Sequence, residues 1–595
     1  MCGILGGIGV EKQTIESYLH LLNNRGPDDS GIFEFLESSK SVVLGMRRLS
    51  ITGIESGHQP LISSDKNLVL TYNGEIYNYE ELWNELKIKR KTRSDGDVVL
   101  ELYKKYGTSG FKRLRGMFAI SLLDLKKRKI YLLRDFFGEK PLYLYEKNNK
   151  IIWSSNLNIL NKIADKITLN HESLYNFFRF TFIPDNKTIY NEIIYLEPGS
   201  CIEYNIDGKK LNSFKLDQEL NYTNIPFKKL LQDKVKNGLI GEVPIGLLLS
   251  GGVDSGLLAS LVSKSIENNF TAFTISSSDK LYDEGYKASL LAKHLNLKHI
   301  IINFHKEFDK IEFIKFIKSL DEPFADSSIV LSFTAFNYIK KHFPEIKVVL
   351  TGDGGDEIWG GYNKHKILNL PSIKNSSSIY NFISKAFILL YDFIDNRIIN
   401  YKIFRILKAY SWKSRYSGVL SLGFDKFSLK KLLKIKVKDK FISDANTLED
   451  AMILDHKISL NRDLNIKTDR SSMYNSIEAR SPFLDIDLYN LNKSNFVSKR
   501  QLVKMFNNLF PLNYFKNSKK KGFSFNIKNF IVNDFSEYSK IYLSEKKLKN
   551  IPHINITYAQ KIINRHLIRN DYRNFEVFSL LVASIWFEDR NFNNK

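Results

Sequence analysis

The sequence predicts an α+β unit built on antiparallel strands, then an α/β unit built on a parallel sheet, with a helical C-terminal part. In the first part, short apolar segments alternate with tight turns, which is typical of antiparallel strands. These segments lie at 41–44, 68–72, 119–124, 130–134 and 151–154. From about residue 226, apolar segments alternate with helical periods, which is typical of a parallel sheet. These segments lie at 245–249, 271–275, 299–304 and 347–350. Beyond about residue 365 the pattern is mostly helical.

Length and turn signals divide the chain. A chain of 595 residues exceeds what one hydrophobic core commonly holds, so two or more domains are expected. One helical segment at 97–106 interrupts the early strands. A turn at Pro198-Gly199 and a polar stretch at 217–225 then precede the change of pattern. We therefore predict domains at 1–205 and 226–595, joined by a linker at 206–225.

Composition and charge restrict the class of protein. With 43% hydrophobic and 26% charged residues, the chain has the composition of a globular protein. Its net charge of +23, from 88 basic and 65 acidic residues, invites a nucleic-acid or membrane-surface partner. No arginine-rich helix, zinc-ligand spacing or RNA-binding aromatic signature accompanies that charge. Scattered, solvated lysines are therefore the favoured explanation, and we expect no nucleic-acid partner.

Cysteine usage and the N-terminus indicate a compartment. The chain has two cysteines, Cys2 and Cys201, which favours a reducing environment. The first ten residues lack the positive segment of a signal peptide and reach Glu11 directly. Apolar stretches such as 386–391 are far shorter than the roughly 20 residues that span a bilayer. We expect a cytoplasmic protein without a membrane span.

Cys2 is a candidate nucleophile because it follows the initiator methionine. Removal of Met1 would leave a free α-amino group on the residue that carries the thiol. A thiol needs a base to become a good nucleophile. An α-amino group, with a pKa near about 8, can act as that base. Taken alone, a cysteine at position 2 would be an arbitrary residue. Its interpretation as a nucleophile therefore depends on the motifs that follow.

Further motifs follow in a fixed order. They are Cys2-Gly3-Ile4-Leu5-Gly6, Arg25-Gly26-Pro27-Asp28, Arg48-Leu49-Ser50-Ile51, Gly57-His58-Gln59-Pro60, Asn73-Gly74-Glu75-Ile76-Tyr77-Asn78 and Ser94-Asp95. In combination they resemble the N-terminal-nucleophile glutaminase domain of the class II glutamine amidotransferases, over roughly the first 200 residues. The resemblance implies an α+β domain of stacked antiparallel sheets.

The same resemblance implies roles for individual residues. Cys2 would attack the side-chain amide of glutamine, and Asn73 with the backbone of Gly74 would form the oxyanion hole. The planar fork of Arg48 suits the α-carboxylate of glutamine. Asn73 and Gly74 also belong to the implied glutamine-binding residues. The implied acceptors for the α-ammonium are Glu75 and Asp95.

A glycine-rich loop follows the first predicted strand of the second domain. The run Ser250-Gly251-Gly252-Val253-Asp254-Ser255 lies between that strand and a predicted helix. Glycines allow backbone N–H groups to approach an anion, and the helix N-terminus adds its positive dipole end. A generic Gly-Gly turn is the plain alternative. The run resembles the pyrophosphate-binding loop of the ATP-pyrophosphatase family, which implies ATP binding by Ser250, Gly251, Gly252, Asp254 and Ser255.

A second glycine-rich loop carries several carboxylates. The run Leu350-Thr351-Gly352-Asp353-Gly354-Gly355-Asp356-Glu357 follows another predicted strand. Because open parallel sheets bind ligands at the carboxyl ends of their strands, we expect the two loops to converge. Carboxylates beside a phosphate site would repel the substrate unless a cation intervened. We therefore predict a Mg²⁺ site at Asp254 and Asp356, with a surface turn as the alternative.

With both halves present, the chain resembles the asparagine synthetase family over almost its whole length. The additional motifs are Tyr282-Asp283-Glu284, Asp321-Glu322-Pro323, Lys467-Thr468-Asp469-Arg470, 476–480, Pro482-Phe483-Leu484-Asp485 and Lys519-Lys520-Lys521-Gly522-Phe523. The resemblance implies that ATP activates a carboxylate as an acyl-adenylate with release of pyrophosphate. L-Aspartate is the favoured acceptor. Ammonia from glutamine then travels internally to the adenylate, and AMP leaves as the amide forms.

The family resemblance assigns further residues. By position, Lys520 matches a lysine that stabilises charge on the α-phosphate, although it could also be one of many solvated lysines. The positions implied to hold the nucleotide include Leu248, Ile275, Thr351 and Gly352. The substrates are small molecules, and the assembly state is open, with a homodimer as one option.

Asp353 departs from the family pattern, which usually has glutamate at this position. Aspartate keeps the charge but is one methylene shorter, so an acid–base or lysine-pairing contact there would have to be remade. Relatives with this variant include amidotransferases proposed to amidate sugar carboxylates during surface-polysaccharide synthesis. The basic, helix-rich stretch at about 366–450 could suit a larger anionic acceptor or could be purely structural. A uronic acid acceptor is therefore the alternative to aspartate.

Two other classes of function are less favoured. An enzyme that modifies tRNA could use the same pyrophosphatase loop, but it has no obvious need for the glutaminase half. A catalytically inactive regulatory protein would be expected to have lost Cys2, Asp254 or the Gly-Gly loop, and all three are present.

Overall fold

The structure, a computed structural model, describes most of the chain. The described residues are 2–595 except 38–39, 89, 91, 149, 217–224, 267–269, 278, 280–282, 370–385, 387–400, 413, 438–443, 517–524, 570–571, 591 and 593–595.

The described strands are β1 (Cys2–Ile8), β2 (Asp29–Glu37), β3 (Lys40–Arg48), β4 (Leu61–Ile62), β5 (Leu68–Ile76), β6 (Gly116–Asp124), β7 (Lys129–Arg134), β8 (Tyr143–Lys147), β9 (Lys150–Ser154), β10 (Ile193–Tyr195), β11 (Ser200–Asn205), β12 (Lys210–Lys215), β13 (Ile245–Leu248), β14 (Thr271–Ser276), β15 (Lys298–Asn303), β16 (Val348–Leu350) and β17 (Glu478–Arg480).

Helices occur in both parts and dominate the C-terminal half. The α-helices are Lys12–Leu19, Tyr79–Leu86, Asp97–Tyr106, Leu157–Ile163, His171–Phe180, Phe227–Asn237, Val253–Ser265, Gly285–His294, Phe304–Glu307, Lys310–Ser319, Ile329–His342, Gly355–Trp359, Tyr401–Tyr410, Arg415–Leu420, Lys426–Leu432, Leu448–Leu454, Asn465–Tyr474, Ile486–Ser494, Lys499–Met505, Ile527–Asn529, Ser536–Tyr542, Glu545–Leu548, Ile556–Arg569 and Asn574–Phe587. Short 3₁₀ helices are His20–Leu22, Gly107–Arg113, Asn363–Asn369 and Asn507–Leu509, and π-helical turns are Asp455–Leu464 and Phe530–Asp534.

Two antiparallel sheets form the first part of the fold. Their strand orders are β10-β8-β9-β1-β3-β2 and β12-β11-β7-β6-β5-β4. Apolar side chains alternate along β1: Ile4 and Ile8 enter the core between the sheets, while Leu5 enters the core on the outer face. Because successive side chains of a strand point to opposite faces, a strand covered on both faces is apolar throughout. The predicted stacked-sheet architecture is confirmed.

The helix Asp97–Tyr106 has the bounds predicted from the sequence. Together with the helix Tyr79–Leu86 it covers the outer face of the second sheet, where Val98 and Leu102 join a core with Ile120. This packing explains the helical period that interrupts the early strands, because a sheet with an apolar outer face needs a covering layer.

A five-stranded parallel sheet of order β15-β14-β13-β16-β17 forms the centre of the second part. Four of its strands match the predicted apolar segments within one or two residues. The fifth, β17, consists of Glu478, Ala479 and Arg480, all buried. Its two charged residues conceal it in the sequence, because buried parallel strands are expected to be apolar.

The predicted linker contains a strand. Residues 210–215 form β12, which pairs with β11 at the edge of the second antiparallel sheet. We therefore propose that the first unit ends after Lys215 rather than at residue 205. The residues predicted to be the most polar part of the linker, 217–224, lie outside the described residues.

The two parts share one large core. It contains Leu5 and Tyr143 of the first sheet together with Phe316, Phe333 and Trp586 of the helical part. Backbone hydrogen bonds also cross between the parts, as from Ala325 N to Thr181 O at 2.7 Å. Within the described ranges, every helix is too short or too polar to cross a bilayer.

Buried ion pairs add to this shared core. Arg25 binds Asp469 through two nitrogen–oxygen contacts of 2.8 Å, and Arg115 Nε lies 3.1 Å from Asp487 Oδ2. Burial tends to raise the pKa of Asp469, but Arg25 and Arg470 outweigh it and lower that pKa to about 2. These pairs fix the orientation of the two parts because a charge that lost its partner would remain buried.

We expect Leu44→Ala to lower the free energy of unfolding by about 2–5 kcal/mol, because Leu44 is fully buried between the two antiparallel sheets. Leu36→Ala on the neighbouring strand is the matched control. Its side chain is 68% exposed, so a change within about 0.5 kcal/mol is expected. Urea denaturation of both variants measures the difference, and equal losses would contradict the sandwich core.

Candidate functional site

Cys2 begins β1 and lies against β5 of the facing sheet. Its backbone nitrogen donates to Asn73 Oδ1 at 3.1 Å, and Gln59 Nε2 lies 3.8 Å from its Sγ. Arg25 Nε donates to the Cys2 carbonyl at 3.3 Å. Burial raises the pKa of the Cys2 thiol, while the charge of Arg48 acts in the opposite direction. A buried thiol of this kind needs a base close by to become a thiolate.

The Asn73-Gly74 pair lies beside Cys2 because β5 of the second sheet faces β1 of the first sheet here. Gly74 has φ +150°, and a Cβ on it would lie 2.0 Å from the Met117 carbonyl oxygen of β6. Glycine is therefore required at this position. The Asn73 side chain contacts the Cys2 nitrogen, so the two predicted oxyanion-hole residues are held next to the predicted nucleophile.

Arg48 ends β3, directly opposite Cys2 in the β1–β3 ladder. Its guanidinium donates to the carbonyl oxygens of Thr52, Gly53 and Ile54 at 3.0, 2.7 and 3.2 Å. These contacts orient the side chain within the loop after β3. A Cβ on Gly57 would lie 2.6 Å from an Arg48 nitrogen, so the loop packs closely around it.

The two predicted acceptors of the α-ammonium are both buried. Asp95 accepts from the Tyr72 hydroxyl at 2.5 Å and from the Ile76 backbone N–H at 2.7 Å. Glu75 accepts from the Thr52 hydroxyl at 2.8 Å and from an Arg480 nitrogen at 3.1 Å. Burial raises the pKa of Glu75 well above its usual value, and the nearby Asp95 adds to the effect.

The first glycine-rich loop connects β13 to the helix Val253–Ser265. Ser255 Oγ accepts from the Ser250 backbone N–H at 3.0 Å and donates to the Ser250 carbonyl at 3.1 Å. The loop therefore closes on its own helix, whose N-terminus follows the glycines. A Cβ on Gly251 would lie 2.6 Å from the Lys287 Cβ, so the backbone passes close to the next helix.

The second glycine-rich loop meets the first, as the parallel sheet predicts. A Cβ on Gly352 would lie 2.8 Å from the Ser255 nitrogen, and one on Gly355 would lie 2.5 Å from Asp254 Oδ1. Since β13 and β16 are neighbours in the sheet, their carboxyl ends open at the same edge. The predicted convergence of the two loops is observed.

Lys499 joins the two predicted metal ligands. Its ammonium lies 2.5 Å from Asp254 Oδ2 and also contacts Asp356 Oδ1. Burial lowers the pKa of Lys499, but the two carboxylates outweigh it, so this pKa is raised. Sequence analysis missed this residue. A capping box at Ser498 and Gln501 marks the start of its helix, but nothing in the sequence indicates its partners.

The carboxylates of Asp254 and Asp356 fit a magnesium ion. Because both contact one ammonium group, their oxygens lie within reach of a single small cation. Mg²⁺ prefers such hard oxygen ligands and commonly takes only one or two from the protein, with the rest from water and phosphate. Within the described part of the chain, no cluster of three or more His, Cys, Asp or Glu side chains is suited to a metal.

Asp353 belongs to the second loop and contacts the helix Asn465–Tyr474. Its Oδ2 accepts from the Thr468 hydroxyl at 2.8 Å and from the Thr351 hydroxyl at 3.2 Å. Lys467 is buried nearby. Burial lowers the pKa of Lys467, but Asp326 and Asp353 outweigh it, so this pKa is raised. A charged lysine therefore stands near Asp353 at the mouth of the two loops.

The remaining predicted residues have different outcomes. Leu248 ends β13 and Ile275 lies near the end of β14, and both are half-buried at the edge where the loops open. Thr351 is buried, and its hydroxyl lies 3.0 Å from that of Ser481. Lys520 lies outside the described residues, so its predicted role stays a prediction.

Comparison with known proteins follows the same division of the chain. Residues 1–215 match the family model for a glutamine amidotransferase domain, and residues 226–588 match the model for asparagine synthase. Asparagine synthetase (glutamine-hydrolyzing) 1 of Bacillus subtilis strain 168 is 27% identical, covering 98% of this chain and 96% of its own. Putative asparagine synthetase (glutamine-hydrolyzing) 2 of Methanocaldococcus jannaschii is 33% identical, covering 61% of this chain and 76% of its own.

We expect Gly74→Ala to reduce glutamine hydrolysis by about a hundredfold or more, because its Cβ would collide with the Met117 carbonyl and move the backbone beside Cys2. Gly107→Ala is the control. Gly107 also has a positive φ, of 60°, but nothing lies within 4 Å of its Cβ, so a loss of about 1–3 kcal/mol in stability with normal hydrolysis is expected. Glutamate release measures both variants, and normal hydrolysis by Gly74→Ala would contradict the assignment.

Proposed function

This chain belongs to the asparagine synthase family and is a glutamine-dependent amidotransferase of the asparagine synthetase type, and we propose that it converts L-aspartate into L-asparagine at the expense of ATP. The observation that carries the proposal is the pairing of two sites in one chain. Cys2 with Asn73 and Gly74 supplies the chemistry for glutamine hydrolysis. The converging loops around Asp254 and Asp356 supply a site for a nucleotide and its cation.

The first site supports glutamine hydrolysis through a covalent intermediate. The Cys2 sulfur attacks the side-chain amide carbon, and the α-amino group freed by removal of Met1 accepts the thiol proton. That nitrogen is the one that lies 3.1 Å from Asn73 Oδ1, so the base is already oriented. The oxyanion is stabilised by the Asn73 amide and the Gly74 N–H. Ammonia leaves, and water then hydrolyses the thioester to glutamate.

The second site supports activation of the acceptor by ATP. A carboxylate oxygen attacks the α-phosphorus, an acyl-adenylate forms, and pyrophosphate leaves. Backbone N–H groups of the loop 250–255 and the following helix N-terminus face the phosphates. Lys499, held between Asp254 and Asp356, adds a positive charge. Mg²⁺ bound by the same two aspartates would replace that ammonium between them and would neutralise negative charge on the phosphates.

Ammonia then completes the reaction inside the protein. It attacks the carbonyl carbon of the adenylate, the amide forms, and AMP leaves. In water ammonia would be protonated and would lose its nucleophilicity, so a buried route between the sites is an advantage. The buried contacts of Arg25, which reach both Cys2 and Asp469, support such a closed boundary between the two parts.

The acceptor is aspartate by the names of the relatives, with a uronic acid as the second candidate. The aspartate at position 353 is the reason to retain the uronic acid as a candidate acceptor. Its short side chain is tied to Thr468 and Thr351, and it leaves more room at the mouth of the site than a glutamate would. The charged Lys467 nearby suits either carboxylate.

We expect Cys2→Ala to abolish glutamine-dependent synthesis while leaving ammonia-dependent synthesis close to normal, because the nucleophile acts only on glutamine. Amide formation is measured with glutamine and with ammonium chloride in parallel. Cys201→Ala is the matched control: Cys201 is also a buried cysteine, but it packs in the core under the helix Asp97–Tyr106 and not in the core that contains Cys2, so both activities should stay intact. Loss of both activities in Cys2→Ala would contradict two separate sites.

Pyrophosphate release tests the acceptor. The protein is incubated with glutamine, ATP and Mg²⁺, with and without L-aspartate. We expect aspartate-dependent pyrophosphate in equal amounts with asparagine and AMP. If glutamine is hydrolysed but aspartate produces no pyrophosphate, the proposed acceptor is wrong, and nucleotide-linked uronic acids are the next carboxylates to test.

A further inference from the structure

We propose that Arg480, at the end of β17 in the parallel-sheet unit, is a positioning residue for glutamine recognition in the first unit. Its guanidinium orients Glu75 directly and orients the loop around Arg48 through residues 238–242. This inference rests on the proposed hydrolysis of glutamine at Cys2. It makes the glutamine pocket dependent on a side chain of the unit that performs the ATP chemistry.

The direct contact is with Glu75. An Arg480 nitrogen lies 3.1 Å from Glu75 Oε2, while Arg480 Nε contacts Glu478 Oε1 at 2.5 Å. All three side chains are buried. Because the other Glu75 oxygen accepts from Thr52, the carboxylate is held from two sides and has a fixed direction.

The indirect contact runs through a short segment before β13. Arg480 donates to the carbonyl oxygens of Gly238, at 3.1 Å, and Ile240. Two residues later, Glu242 Oε1 accepts from the Gly53 N–H at 2.8 Å, and the Glu242 N–H donates to the Ile51 carbonyl at 2.9 Å. The segment 238–242 therefore connects Arg480 to the loop 51–53.

The loop 51–53 is the one that holds Arg48. The carbonyl oxygens of Thr52 and Gly53 accept from its guanidinium at 3.0 and 2.7 Å. Arg48 and Glu75 are the residues assigned to opposite ends of the glutamine backbone, the carboxylate and the ammonium. The Arg480 guanidinium therefore contacts Glu75, at the ammonium end, and the segment 238–242, which holds the loop around Arg48 at the carboxylate end.

The backbone of Arg480 is fixed by the ATP loop. Its carbonyl accepts from the Thr351 N–H at 2.8 Å, and the next residue, Ser481, contacts the Thr351 hydroxyl at 3.0 Å. Arg480 is therefore held at its backbone as well as at its guanidinium. A side chain held in this way can orient a partner rather than follow it.

The charge of Arg480 also suits a binding role. Burial raises the pKa of Glu75, Asp95 and Glu478 add to that effect, and Arg480 opposes it. A carboxylate binds an ammonium group best when it is ionised. Without the guanidinium, Glu75 would have both less charge and less fixed geometry.

The test compares Arg480→Gln and Arg480→Lys with the wild type in steady-state glutamine hydrolysis. We expect Arg480→Gln to raise KM for glutamine about tenfold or more, with kcat within about threefold, because recognition and not the nucleophile is affected. Arg480→Lys keeps the charge and should have an intermediate KM. Ammonia-dependent amide formation should stay close to normal in both, which shows that the ATP unit is folded.

Arg115→Gln is the matched control. Arg115 is also buried and also holds a carboxylate of the other unit, Asp487, but its guanidinium donates to the carbonyls of Lys112 and Leu114 rather than to Glu75 or the segment 238–242. It should leave KM for glutamine within about twofold of the wild-type value.

The outcomes separate the possibilities. A normal KM in both Arg480 variants would overturn the inference. Equal losses of glutamine- and ammonia-dependent synthesis in the Arg480 variants, or an equal rise of KM in Arg115→Gln, would also overturn it, because the role would then be general support of the interface. A wild-type protein that hydrolyses no glutamine would overturn the proposed function itself, and this inference with it.

Discussion

The Arg25 guanidinium is the contact on which the arrangement of the two sites depends. It binds the carbonyl of Cys2 on one side and both oxygens of Asp469 on the other, so one planar group joins the nucleophile strand to a helix of the second unit. A guanidinium suits this position because its fork matches a carboxylate and still has a third nitrogen to donate. Since both charges are buried, losing either partner would leave an uncompensated charge inside the protein. The two units can therefore move little relative to each other at this interface.

Close backbone approach organises the second site in a different way. Gly352 and Gly355 lie where a Cβ would collide with Ser255 or Asp254. The parallel register of β13 and β16 brings the two loops to one edge, and glycine lets them come into contact there. Carboxylates from both loops then surround one ammonium, that of Lys499. Geometry of the sheet, rather than a local motif, creates this cluster of charge.

Sequence patterns predicted those parts of the fold in which local chemistry is consistent with the final structure. The alternating strands, the helix Asp97–Tyr106 and the glycine loops were predicted because periodicity and turn residues directly specify them. The strand β17 was missed because its glutamate and arginine satisfy each other in a buried site, which no local rule anticipates. Lys499 was missed for the same reason, and Arg480, although it lies in the motif 476–480, was given no role. Their partners lie 245 and 405 residues away, and only tertiary packing reveals such pairs.

The shared core has a consequence for synthesis of the chain on the ribosome. The first unit emerges long before the helices that cover it: Leu157 is held by Asp321, and Asn158 is contacted by Arg590 near the C-terminus. Until those segments are translated, the outer face of the first sheet is exposed to other nascent chains. Transiently exposed apolar surface of this kind is a cause of aggregation. The first unit therefore depends on segments translated much later to cover its apolar face.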